Sequence, residues 1–213
     1  MLSLSILPKI LFKPREAFEE LKDNTTASEG VLMLILISVS SLILFGLASS
    51  ATGLNLMALN FGFGPQLTLV SAATFFSLQF FGILLITFFA NTIAAHLGGS
   101  GNIKETFAFI CYSKILNIIA CLGSIFAIIW FRAKILLALS ALNEGVLGST
   151  EFIGTLSSFT IYGTVAITIW SLYILTESIS VSHGISRGKS LAAVLPGLLL
   201  ITFIASFVGQ LIV

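Results

Sequence analysis

The sequence predicts an all-α fold: a polytopic membrane helix bundle of five transmembrane helices, preceded by a short amphipathic interfacial segment. Three observations carry that prediction. Hydrophobic residues make up 57% of the 213 residues and charged residues only 9%. A soluble domain carries about 25% charged residues, so this chain lacks the means to cover a water-facing surface. No Asp, Glu, Lys or Arg occurs between Glu29 and Lys104, which leaves room for two bilayer crossings at ~20 apolar residues each. Finally, five apolar runs alternate with connections that hold most of the charges.

Residues 1–29 read as a cytoplasmic amphipathic segment and 30–213 as the five-span membrane domain. In the first segment, Ile6, Leu7, Ile10 and Leu11 share a helical face. Pro14 suits the first turn of a second short helix, "PREAFEELKD". Its apolar stripe is Ala17, Phe18 and Leu21, and Glu16, Glu19 and Glu20 line the other side. The segment is therefore read as lying on the membrane rather than crossing it. "MLSLSILPKILF" is broken by Pro8 and Lys9, lacks a basic region ahead of it, and does not read as a signal peptide.

The five spans fall at about 31–50, 67–95, 107–131, 152–180 and 190–212, several long enough to tilt. The connection 132–151 contains an amphipathic piece, "RAKILLALSALNE". Orientation follows from the basic residues. With the N-terminus inside, the inner side collects Lys9, Lys13, Arg15, Lys22, Lys104, Lys114, Arg187 and Lys189, and the outer side keeps Arg132 and Lys134. This bias places the N-terminus in the cytoplasm and the C-terminus outside the cell membrane.

The inner connections "AAHLGGSGNIKETF" and "VSHGISRGKSLAA" resemble one another. Each has a histidine at the end of a span, then Gly and Ser, then a lysine, then the next span. Asn102 with Glu105 has the spacing of a capping box, and Ser186 suits the cap of the fifth span. Gly184 followed by Gly188-Lys189-Ser190 is one residue short of a phosphate-binding loop. That loop needs a preceding β-strand, and here a membrane helix precedes it, so no nucleotide is expected. If the two turns meet, His96, Lys104, His183, Arg187 and Lys189 form a basic cluster at headgroup level, fit to hold a lipid phosphate.

Ionisable groups at membrane depth cost roughly 2.5–3.5 kcal/mol on insertion scales. Lys114 and Glu177 lie on the inner side of the third and fourth spans, and the expectation is that they pair, with Tyr112 and Tyr173 as hydroxyl partners. Gln79, Asn91 and Asn117 suit helix–helix hydrogen bonds. The lone histidines lack companions at metal-ligand spacing. Neither a zinc-protease nor a serine-hydrolase motif is found, and the Glu19-Glu20 pair reads as a solvated face. A net charge of +1 gives no nucleic-acid footprint. No catalytic, cofactor or metal residues are expected.

These stretches resemble the Yip family of small polytopic membrane proteins, named for Ypt/Rab-interacting proteins. "LFKPREAFEELKD" is similar to the family's opening Pro-x-x-x-Phe segment. "AAHLGGSGNIKETFAFICYS" is similar to its span ending before Gly-Gly, a polar turn and a helix reaching a Tyr. "IWSLYILTESISVSHGISRGKSLAAVL" is similar to its fourth-span end and turn. "CYSKILN" departs from it, with Lys114 where family members often have Pro soon after the Tyr, so no proline kink is expected. About thirty residues before the first span, where eukaryotic members have a long cytosolic region, suggest a prokaryotic member. The resemblance implies a non-enzymatic scaffold that partners with membrane proteins, with itself or with membrane lipids. The alternative is a transporter or channel subunit whose site, among Lys114, Glu177, Tyr112 and Tyr173, opens inward past His96 and His183.

Overall fold

A computed structural model describes residues 6–22, 25–52, 68–120, 122, 123, 126 and 150–212. The piece "RAKILLALSALNE", with Arg132 and Lys134, lies outside the described residues. Among those described there are only helices and turns. They are α1 (Leu7–Phe12), α2 (Pro14–Lys22), α3 (Ala27–Thr52), α4 (Thr68–His96), α5 (Ile103–Ser113), α6 (Thr150–His183) and α7 (Arg187–Ile212). Three windows are long and apolar enough to cross a membrane: Gln79–His96 in α4, Val165–His183 in α6 and Arg187–Ile204 in α7. A shorter apolar stretch, Ala27–Ile43, lies in α3. The helices α4, α6 and α7 match the second, fourth and fifth expected spans within a few residues.

The third expected span, 107–131, is described only in part, with residues 121, 124, 125 and 127–131 outside the described residues, and its described part is not one continuous helix. The helix α5 stops at Ser113, Lys114 takes a turn conformation, and helix resumes over 115–120. The Lys114 N–H reaches the carbonyls of Cys111 and Tyr112, and its own carbonyl accepts from Asn117 at 2.8 Å. No proline causes this break. A lysine there suits the partial negative charge at the carboxyl end of α5.

The N-terminal segment is also placed differently from the interfacial expectation. Pro14, Ala17, Phe18 and Leu21 are buried, and α2 packs on α6. Phe18 meets Phe109 of α5 with ring centroids 5.0 Å apart. The apolar stripe that sequence assigns to lipid is thus covered by protein. Its polar face carries the exposed pairs Lys13–Glu16 and Arg15–Glu19. Trp170 Nε1 donates to the Leu11 carbonyl at 3.2 Å. Lys9 and Glu20 tie α1 to α2, and that carboxylate raises the lysine's pKa.

The core lies around α5 and the last third of α6. Ala108, Phe109, Ile110, Cys111 and Tyr112 are fully buried. The most extensive packing is α4 on α7, and α5 touches α3, α4 and α6. Close approach needs glycine at two crossings. A Cβ on Gly30 of α3 would stand 2.8 Å from Ala108 Cα, and one on Gly197 of α7 would stand 3.1 Å from Ile86 Cα. Small residues let membrane helices meet backbone to backbone. Between α3 and α4, Ser38 Oγ donates to Gln79 Oε1 at 2.7 Å, the kind of interhelical hydrogen bond expected of Gln79.

Candidate functional site

The two turns meet. Both begin with the same C-cap chemistry. After α4, Gly98 takes φ +91°, Gly99 N–H bonds the Ala94 carbonyl at 2.9 Å, and Gly98 N–H bonds that of Ala95 at 3.1 Å. After α6, Gly184 takes φ +66° and Ile185 N–H bonds the Ser180 carbonyl at 3.2 Å. These are Schellman-type ends, in which a left-handed glycine satisfies carbonyls the helix leaves open. Asn102 then starts α5, its Oδ1 accepting from the Lys104 N–H at 2.7 Å.

The first turn folds over His183, whose side chain belongs to the second. Ser100 N–H donates to the His183 carbonyl at 3.1 Å. A Cβ on Gly99 would sit 2.8 Å from His183 Cβ, and one on Gly101 would sit 2.7 Å from both His183 Cγ and the Ser182 carbonyl oxygen. Only glycine fits at either position.

Beneath them, Thr106 Oγ1 is the hub. It lies 2.9 Å from the Asn102 carbonyl, to which it can donate, and 2.9 Å from His183 Nε2, which donates to it in the Nε2–H tautomer. Ser182 Oγ stands at 3.2 Å and Asn91 Oδ1 at 3.4 Å.

Two lysines close the assembly from other segments. Lys22 of α2 donates to the Val181 carbonyl at 3.0 Å, and Lys189 of α7 donates to the Leu97 carbonyl at 2.9 Å. Each puts a cation on the negative end of a helix to which it does not belong. Arg187 forms an ion pair with Glu177, whose side chain is wholly buried.

A family comparison bears on this arrangement. The Yip1 domain matches residues 9–209, a span that includes both turns and all of the described helices except the first residues of α1 and the last of α7. The chain belongs to the Yip family. No curated protein and no solved structure matches it. Family membership and the apolar helices together make it an integral membrane protein, from a family not known for enzymes.

Within this Yip-family bundle the expected pair of Lys114 and Glu177 is corrected, because Glu177 meets Arg187. At ~100° per residue, Thr168, Ser171, Leu172 and Leu175 share one stripe of α6. Those four residues, with Lys114, line one cavity. Glu177 projects on the opposite side of the helix, ~170° away by the same geometry. Tyr112 is fully buried in the core, and Tyr173 is partly exposed beside Trp170, ring centroids 5.5 Å apart. Neither joins a polar pair with Lys114.

The five-residue headgroup cluster is corrected as well. His183 is 1% exposed, so it holds the turns together and faces no lipid. Arg187 and Lys189 have the protein partners just described. His96 is exposed, with Nδ1 2.8 Å from the Thr92 carbonyl of its own helix. Lys104 is exposed and lines a cavity of about 510 Å³ with Lys22, Thr25, Asn102 and Glu105.

Sequence reasoning missed Thr106, Ser182, Gly99, Gly101 and Lys22 as members of the site. One signal was available. Both inner turns pair a helix-ending histidine with glycines, and two such turns at one end of a bundle are placed to interlock.

Proposed function

We propose that this Yip-family protein is a non-enzymatic scaffold of the cytoplasmic membrane that partners with membrane proteins or organises lipid, in its prokaryotic form, with the joined turns facing the cytoplasm. One observation supports this reading above the others: every residue of α6 from Ile174 to His183 is buried. Around His183 the turn end is packed and hydrogen-bonded, beside the open cavity lined by Lys22 and Lys104. Such an end holds a shape for a partner to recognise. The transporter alternative needs an opening past His96 and His183, and the Gly99–Gly101 turn lies tightly across that histidine. His96, Lys104 and the charged face of α2 remain exposed at this end, suited to anionic headgroups.

The test is photo-crosslinking in native membranes from the exposed positions Phe12 and Phe203, 79% and 70% accessible, followed by purification and mass spectrometry. Discrete adducts with a membrane protein, with a second copy or with a defined lipid are expected. Bare protein from both positions sinks the scaffold reading.

A further inference from the structure

A second site lies away from the turns. The break after α5 places Lys114 about three helical turns from the start of that helix at Ile103. It lines a cavity of about 150 Å³ between α5, α6 and α7. The lining divides sharply. Ser113, Asn117, Thr168 and Ser171 supply hydroxyl and amide groups, and Leu172, Leu175 and Leu198 supply an apolar wall. Lys114 carries the one charge of that lining.

Among the described residues no carboxylate pairs with Lys114 and its ammonium donates no hydrogen bond. A cation at membrane depth is costly unless something neutralises it. At the turn end Lys22, Lys189 and Arg187 have carbonyl or carboxylate partners, and Lys104 is exposed.

The surroundings indicate what supplies the missing charge. Thr168 at the cavity is exposed, and on the same stretches of α6 and α7 Val165, Ile169, Leu195 and Leu199 are 50%, 63%, 39% and 67% exposed. These lie in the helix windows apolar enough to span the bilayer, so the rim of the cavity faces acyl chains. A ligand arriving from that side has an apolar tail. One lysine among neutral donors matches a head with one negative charge and several lone pairs. At roughly 30 Å³ per water-sized group, the cavity holds a carboxylate and a short stretch of chain, with the remainder of the chain along the exposed face.

We infer that the cavity at the α5 break is a lateral binding site for a fatty-acid carboxylate, held by Lys114 and the hydroxyls of Thr168 and Ser171, with the acyl chain against Leu172, Leu175 and Leu198. The site goes beyond the scaffold reading and does not depend on it. It uses none of the residues that join the turns.

The test uses the purified full chain in a mild non-ionic detergent, with radiolabelled palmitate as the probe. Saturable binding of one palmitate per chain is expected. Lys114→Met lowers the affinity at least tenfold, and Lys114→Arg stays within about threefold of the parent. Ser171→Leu fills the cavity without touching the charge, and it too lowers binding at least tenfold. Methyl palmitate, which keeps the chain and loses the charge, fails to compete. Competition by methyl palmitate equal to that of palmitate overturns the role of the charge. Displacement by equimolar acetate overturns the acyl ligand in favour of a small free anion. Tighter binding of lysophosphatidate than of palmitate overturns the carboxylate assignment. Unchanged binding in Lys114→Met, with the elution profile of the parent, overturns the site itself.

Discussion

From Ile174 to His183, α6 is buried at every position, and six of those ten residues are polar or charged: Thr176, Glu177, Ser178, Ser180, Ser182 and His183. One to three turns earlier, the same helix exposes Tyr162, Val165, Ile169 and Trp170. The order of a water-soluble protein is reversed, with polar groups inside and apolar groups outside. Lipid cannot hydrogen-bond a hydroxyl or a carboxylate, so each must find a partner within the protein. Several serines and threonines of the buried half bond to carbonyls of their own helix or of the turn, such as Thr176 to Leu172, Ser178 to Leu175 and Ser180 to Ile185. Glu177 takes its counter-charge from another element, in the ion pair of Arg187 with one carboxylate oxygen. Specificity thus resides in the buried half, whereas the exposed half needs only to be apolar.

The strongest way to break this contrast is Arg187→Ala. It strands a fully buried carboxylate and is expected to cost about 3–5 kcal/mol, read as a fall in the thermal midpoint in detergent. Adding Glu177→Gln removes the stranded charge and recovers a large part of that loss. A double variant no more stable than Arg187→Ala refutes the pair.

Glycine comes next, because it separates the two halves most cleanly. Gly101→Ala forces a Cβ against His183 and the Ser182 carbonyl and is expected to cost about 1–3 kcal/mol. Gly163, in the other half of α6, has open space where its Cβ would stand. There Gly163→Ala is expected to stabilise the helix by roughly 0.5–1 kcal/mol. Equal effects at the two positions erase the contrast.

Thr106→Val keeps the shape of the hub and removes its hydroxyl, leaving buried His183 without its partner. A loss of about 1–3 kcal/mol is expected, with faster amide exchange across 99–102 as the local readout. The smallest effect is expected on the outer face of α2. There Glu19→Gln breaks an exposed pair with Arg15 and changes stability by no more than about 0.5 kcal/mol.

The sequence discloses the ends of α4, α6 and α7 well, since each apolar run stops at a glycine turn or starts at Arg187. The break at Lys114 was not legible. Lysine is a good helix former, and no proline marks the spot. The partner of Glu177 was hidden for a related reason. Periodicity gives the faces of α6 but not which neighbour each face meets. The two histidines make the point most plainly. His96 and His183 stand in similar local sequence before glycines, yet one ring lies on the surface and the other is enclosed. Nothing local separates them, because the enclosure comes from Gly99 and Gly101, in a turn more than eighty residues before His183.

The bonds that join the turns also have a chronology. Thr106 to His183 spans 77 residues of chain, Leu97 to Lys189 spans 92, and Lys22 to Val181 spans 159. A chain emerging from the ribosome makes α2, α4 and α5 long before any of those partners exists. Asn91, Thr106 and the Leu97 carbonyl wait until α6 and the start of α7 arrive, and Glu177 waits for Arg187. Completion of the turn end therefore records that the start of α7 has arrived, and a chain stopped before Arg187 leaves the Glu177 carboxylate without its ion-pair partner.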